Sequence, residues 1–311
     1  MVALLPFDTI MNSFTERLVQ PSGLLWIEYG NYAGKLLSGG KVPWLEVDQL
    51  INWQRKAAGL LPTDVVSLPV AAVVIQWLSE NPKLVEAMGA KQRPGFALRT
   101  LLADPALRKH LVDLSTGLRA CFPKTPLALV LPSPAVWVSL AHAQAFPGEK
   151  IAVEIDIVDS LDQEIAAHKR LRQAAVIDMD AIDSAAVYIA DFLRGFSDAG
   201  IDILLLEESS ESEPSSQEVV DLYKPLLNLS DHYRWALGIK VPTGSAIESL
   251  SGPDFWIAPH SVPGVPLGLS VSKAFWSGEA GPRRPDGGFV FLEIPADENP
   301  EHVLERLSAL R

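Results

Sequence analysis

The chain is poor in cysteine. Cys121 is the only one among 311 residues, which excludes an internal disulfide and any cysteine-rich zinc site. A reducing compartment fits this, and the cytoplasm is the expected location. Positive charge is also short: 26 Lys and Arg against 38 Asp and Glu leave a net charge of −12 and a pI near 5.0. Nucleic-acid phosphates and anionic membrane surfaces would be repelled, so neither is expected as a partner. No apolar run reaches the ~18 residues of a membrane-spanning helix. The leading stretch MVALLPFDTIMNSFTERL has no basic segment and carries Asp8 and Glu16, unlike a signal peptide. There is no Walker A loop, no GxGxxG and no GxSxG nucleophile elbow. No cofactor is therefore expected. What remains is 48% hydrophobic and 21% charged, a globular composition long enough for a large core. A small molecule is the expected substrate, and a homodimer stays open.

One stretch organises the rest: YIADFLRGFSDAGIDILLLEES, Tyr188 to Ser209. Tyr188, Ile189, Phe192, Leu193 and Phe196 form an apolar stripe at helical spacing. Gly200 stops that helix. Ile201 to Leu206 is nearly continuous aliphatic sequence, as expected of a parallel strand covered on both faces. It ends in Glu207-Glu208-Ser209. Helix, glycine turn, buried strand and terminal acids make one unit of a parallel α/β architecture, whose working face lies at the strands' carboxyl ends.

The rest of the chain reads as more such units. A leading helix covers 1–20, and a first strand 24–27 is followed by Glu28-Tyr29-Gly30-Asn31-Tyr32. Further strands are read at 65–68, 127–131, 151–158, 235–241, 255–258 and 288–294. Helices are read at 45–60, 71–78, 82–95, 98–122 with a break at Asp104-Pro105, 135–145, 161–172, 182–199, 217–228 and 300–310. Ser209 to Ser216 is too polar to pack and suits a lid after a strand end. Pro263 to Arg284 is rich in Gly and Pro, with Phe275 and Trp276 embedded. No internal repeat or interdomain linker is visible. The expected fold is a single-domain (β/α)8 TIM barrel with an N-terminal helical extension.

The order of elements resembles a known superfamily. DPALRKHLVDLSTGLRACFPKTPLALVLPSPAVWVSLAHAQ is similar to the helix–strand–helix of the uroporphyrinogen decarboxylase and cobalamin-independent methionine synthase superfamily. AAVYIADFLRGFSDAGIDILLLEES, VVDLYKPLLNLSDHY and GGFVFLEIPADENPEHVLERL resemble its later units, so the likeness covers roughly residues 100–311. It implies a TIM barrel. The functional motifs of the family are altered. Where the decarboxylase carries two arginines that grip substrate carboxylates, this chain has Asn31-Tyr32-Ala33-Gly34-Lys35, which loses bidentate recognition. A polyanionic tetrapyrrole is thus a poor substrate. The methyltransferases hold zinc through a His-x-Cys segment and a later Cys. Here the strand 235–241 offers neither residue, and Gly287 stands where the later cysteine would be.

The candidate catalytic residues are Glu207, Glu208 and His260. The two adjacent glutamates must point to opposite sides of their strand's end, one of them into the mouth. His260 also closes a strand. Glu28, Tyr29, Tyr32, Lys35 and Trp276 are candidates for substrate binding. No metal ligands are expected. Glu154 and Asp156 share a strand face, which fits a solvated face better than a catalytic pair. His142, His168 and His302 are expected on helix surfaces, and Cys121, Trp137, Phe255 and Trp256 in the core. Three functions remain open: a metal-free lyase or decarboxylase-like enzyme, a methyl or alkyl transferase acting on a non-thiol acceptor, and a catalytically idle barrel used for binding or assembly.

Overall fold

A computed structural model of the chain describes residues 13–19, 23–148, 151–153, 175–209, 217–242, 250–260, 266–282, 285 and 287–310. Ten strands are labelled in chain order: β1 Leu25–Glu28, β2 Val66–Pro69, β3 Leu127–Pro132, β4 Ile151–Val153, β5 Ala175–Ile177, β6 Ile203–Glu207, β7 Ala236–Lys240, β8 Phe255–Ala258, β9 Leu267–Ser270 and β10 Gly288–Glu293. Eight of them form one parallel sheet in the order β1-β10-β9-β8-β7-β6-β3-β2. The sheet curls into a nearly closed barrel with helices between successive strands, a (β/α)8 architecture. The helix layer thins late in the chain. Among the described residues no helix follows β7 or β8, and the 3-10 turn Lys273–Ser277 follows β9. No described helix is long and apolar enough to cross a membrane.

Alternation along each strand divides the core in two. In β6, Leu204 and Leu206 face the helix layer, whereas Ile203 and Leu205 face the barrel interior. The interior is aromatic at its lower end. Trp26 stacks on Phe289 with ring centroids 5.8 Å apart, and Phe255 and Phe291 stand edge-on or tilted against them. Phe14, from the helix Ser13–Val19, closes this end against Trp26, Phe255 and Phe289. Such large rings fit because two inward positions are glycine. A Cβ on Gly238 would lie 2.1 Å from the Phe255 ring, and one on Gly268 would lie 2.5 Å from Phe289.

The same end repeats a polar device. Asp64, Asp202 and Asp254 each stand just before a strand and accept the N–H of a first or second residue of a neighbouring strand, Leu25, Leu127 and Leu237, at 2.7–2.8 Å. Each pairs a backbone donor that would otherwise be buried unmet. Asp202 is also ion-paired with Arg119.

Two expectations about strands change. The strand expected at 151–158 is not part of the barrel: β4 pairs with β5 in a separate two-stranded sheet, and 154–160 lies outside the described residues. In its place β9 enters the barrel from the stretch read only as Gly/Pro-rich. Its sequence, Leu-Gly-Leu-Ser, has weak strand character because Gly268 must leave room for Phe289. The break expected at Asp104-Pro105 within 98–122 is present: it separates the helices Phe96–Leu102 and Pro105–Cys121, and Asp104 caps the second by accepting from Ala106 N at 3.0 Å. The segment 217–228, expected as one helix, is divided into Gln217–Asp221 and Lys224–Tyr233.

Candidate active site

Four of the apolar strands end on a charged residue: β1 on Glu28, β6 on Glu207, β7 on Lys240 and β10 on Glu293. Parity places all four on the inward side. Glu28 lies two residues beyond Trp26, Glu207 two beyond Leu205 and Glu293 two beyond Phe291, all interior residues. Lys240 lies two beyond Gly238, whose Cβ position meets the interior Phe255. The working end of the barrel therefore gathers three carboxylates around one ammonium.

Lys240 is the centre of the group. Its Nζ donates to Glu207 Oε1 at 2.9 Å and also to Glu293 Oε1. The cation lies 5.1 Å from the centre of the Phe291 ring, within cation–π range. Burial works to lower the pKa of Lys240, but Glu207 and Glu293 outweigh it, and the net direction is upward. The side chain is a fixed cation, unsuited to act as a free-amine nucleophile. An ammonium has three donors, and the described carboxylates take two.

Glu28 behaves differently. Burial pushes its carboxyl up to about 7, and the negative charge of Glu207 adds to this. A hydrogen bond from Ser67, the N–H of Gly30 and the charge of Lys240 pull the other way and do not prevail. Ser67 is itself oriented, since its Oγ accepts the indole N–H of Trp26 at 3.0 Å. Gly30 N donates to Glu28 Oε1 at 3.3 Å, and a Cβ at Gly30 would stand 3.3 Å from the same oxygen. A carboxyl that titrates near neutrality can give or take a proton at working pH.

Glu208 turns the other way. It accepts from Ser133 Oγ at 2.6 Å and from the buried Tyr223 hydroxyl at 2.5 Å, and its N–H donates to Lys240 O. Ser133 is the N-cap of the helix Pro134–Ala145, with its Oγ 3.5 Å from Val136 N. Burial and the nearby Glu208 raise the pKa of Tyr223 far above its ordinary value. Glu208 thus ties β6 to the helix layer and has no place in the inward group.

The other predicted residues scatter. His260 lies two residues past the end of β8, exposed, with no hydrogen bond or ion pair among the described residues. Tyr29, next to inward Glu28, points into the helix layer, where its hydroxyl accepts from Gln54 Nε2 at 3.1 Å; burial raises its pKa. Tyr32 is buried in the same layer, and burial and Glu298 raise its pKa. Lys35 is exposed and ion-paired with Asp297. Trp276 is buried, and its indole donates to the backbone carbonyl of Glu293 at 3.1 Å, so it anchors the end of β10 rather than forming a substrate wall. His142 is buried and packed on Phe146, because its helix is covered by neighbouring helices; Cys121 is only half-buried. Glu154, Asp156, His168 and most of the Ser/Glu-rich lid lie outside the described residues.

Sequence reasoning missed Lys240, Glu293 and Ser67. The signal for the first two was the one that found Glu207, a charge closing an apolar strand, in ALGIK and GFVFLE. Neither residue is a histidine or a cysteine, the residue types that most readily mark a site in sequence. Among the described residues no cluster of His, Cys, Asp and Glu has the makings of a metal site. A groove of about 1250 Å³ lies between outer helices around Tyr188, Arg194 and Tyr233 and includes none of the inward group. Neither models of known protein families nor curated proteins match this sequence.

Proposed function

We propose that the barrel mouth carries acid–base catalysis of the lyase or decarboxylase type on a small carbonyl compound. The observation that carries this reading is Lys240, a fixed cation between Glu207 and Glu293, beside a carboxyl at Glu28 that titrates near 7. Breaking a C–H or C–C bond next to a carbonyl leaves negative charge on the carbonyl oxygen. The third Lys240 donor is suited to receive that oxygen, and stabilisation of developing charge by a cation already held in place is a large catalytic term. Glu28 moves the proton to or from the carbon. Glu207 and Glu293 hold Lys240 charged and in place. The parallel barrel and its element order support a place for the chain as a divergent member of the uroporphyrinogen decarboxylase superfamily, although a barrel alone hosts many chemistries. A cytoplasmic location and a small-molecule substrate belong to the same proposal.

The test is solvent deuterium exchange, followed by NMR, at the carbon next to the carbonyl in a panel of small keto acids and 3-hydroxy acids. Wild type should exchange at least one of them, with a rate that follows a group titrating near pH 7. Glu28→Gln and Lys240→Met should each lose at least ~100-fold. No exchange by wild type across the panel would overturn this reading in favour of the idle barrel.

A further inference from the structure

The barrel's hydrogen bonds stop at one place. β1 and β2 share no ladder, and side chains bridge the gap: Leu25 N donates to Asp64 Oδ2, Ile27 N to Thr63 Oγ1 at 2.9 Å, and the Trp26 indole to Ser67. At the mouth end of this seam is a small cavity lined by Glu28, Tyr29, Trp44, Trp53, Gln54 and Ser67, among others. Its free volume of about 10 Å³ is roughly the room for one water molecule. The walls are aromatic, but the polar groups on them form a set. The Trp53 side chain is 6% exposed, and its buried indole N–H has no partner among the described residues. A buried donor left unmet is destabilising, and a water is the usual remedy. Tyr29 accepts from Gln54, which leaves its own O–H free to donate. Glu28 supplies a carboxylate acceptor on the side facing the mouth.

We propose that the seam cavity is a water site, and that its water is the second reactant of the chemistry at Lys240. This inference rests on the acid–base reading above and narrows it to hydration and dehydration. A water there would accept from the Trp53 indole and the Tyr29 hydroxyl and donate to Glu28, within the two to four partners of a well-held buried water. In the hydration direction the Glu28 carboxylate takes a proton from the water as the water oxygen bonds to the β-carbon of an α,β-unsaturated carbonyl compound. The π pair of that double bond shifts to join the α-carbon to the carbonyl carbon, the carbonyl π pair moves onto oxygen, and Lys240 donates a hydrogen bond to the enolate so formed. The proton held on Glu28 then passes to the α-carbon, and the carboxylate is restored. One water has added across the double bond, and dehydration is the same path reversed. The titration of Glu28 near neutrality suits both directions.

The experiment follows two exchanges in the same 3-hydroxy acids: oxygen-18 from labelled water into the hydroxyl, and solvent deuterium into the α-carbon. Wild type should show both. Deuterium exchange without oxygen exchange would overturn the water site and leave the acid–base reading standing. Loss of both overturns both. Trp53→Phe removes the indole donor and keeps an aromatic wall, and it should lower the ratio of oxygen to hydrogen exchange at least ~10-fold. An unchanged ratio in a folded Trp53→Phe variant counts against the proposal. Should that variant fail to fold, a high-resolution crystal structure of the wild type decides. Water density within hydrogen-bond distance of both Trp53 Nε1 and a Glu28 oxygen supports the site. A cavity closed by protein atoms overturns it.

Discussion

The two ends of the barrel use carboxylates in opposite ways. At the lower end, Asp64, Asp202 and Asp254 accept backbone N–H groups at strand starts, and aromatic rings fill the space between. At the upper end, Glu28, Glu207 and Glu293 converge on Lys240. The first arrangement removes unpaired donors and makes the ring rigid. The second holds like charges close together and leaves one proton poorly committed. Adjacent Glu207 and Glu208 repeat the contrast within two residues, one turned to the ammonium and the other fastening a strand to a helix cap. The lower carboxylates bind backbone donors and, at Asp202, an arginine, while Glu208 binds a serine and a tyrosine hydroxyl. The upper ones crowd like charges around one cation, and that is where chemistry can happen.

Substitutions at the lower end should therefore cost stability, and those at the upper end activity. The largest loss of stability is expected from Phe289→Ala. It removes a buried ring packed on Phe14, Trp26 and Phe255 and should cost ~3–5 kcal/mol, read from the denaturant midpoint. Gly238→Ala should follow at ~1–3 kcal/mol, since the added methyl can be housed only by moving the Phe255 ring.

Glu28→Gln should go the other way. The folded protein holds a proton on Glu28 up to about pH 7, whereas the unfolded chain releases it near the ordinary value of 4.5. Between these values the folded state binds more protons, so this group's contribution to stability falls as pH rises from about 4.5 to 7 and is gone above it. Glutamine removes that dependence. The variant should match wild type near pH 4 and exceed it by on the order of 1–3 kcal/mol at pH 8, while its activity collapses. Equal pH dependence of thermal stability in the two proteins would contradict the assignment. The smallest effect is expected from Lys35→Ala: its partner and itself are both exposed, and the change in midpoint should be within ~0.5 kcal/mol of zero.

The barrel was legible because its strands are short apolar runs with period-independent burial, as in LALVLP and ILLLE. The strands that close the ring are not all those with the strongest strand character. Ile151 onward has clear strand chemistry yet pairs outside the ring, while Leu267–Ser270 looks like a turn and belongs within it. Strand propensity reports local fit to a pleated surface, and Gly268 answers to Phe289, a neighbour from the next strand. At the site, Glu207 and Glu28 were visible as charges closing strands. Their convergence on Lys240 was not, because which strand ends meet across a mouth depends on ring closure. Tyr29 and Lys35 were near Glu28 in sequence but on other faces, one turned to Gln54 and the other to Asp297.

The seam between β1 and β2 has a further consequence, for the protein's behaviour in a crowded solution. A sheet that stops short of closure has two edge strands, and exposed edges recruit strands from other chains. Here the donors on the open side of β1 are already engaged: Leu25 N by Asp64 and Ile27 N by Thr63, while Asp64 N in turn meets Leu25 O at 3.0 Å. An incoming strand would find these groups occupied, and a charged carboxylate in its path. The short side chains that bridge the seam thus guard the barrel against pairing edge to edge with its own copies.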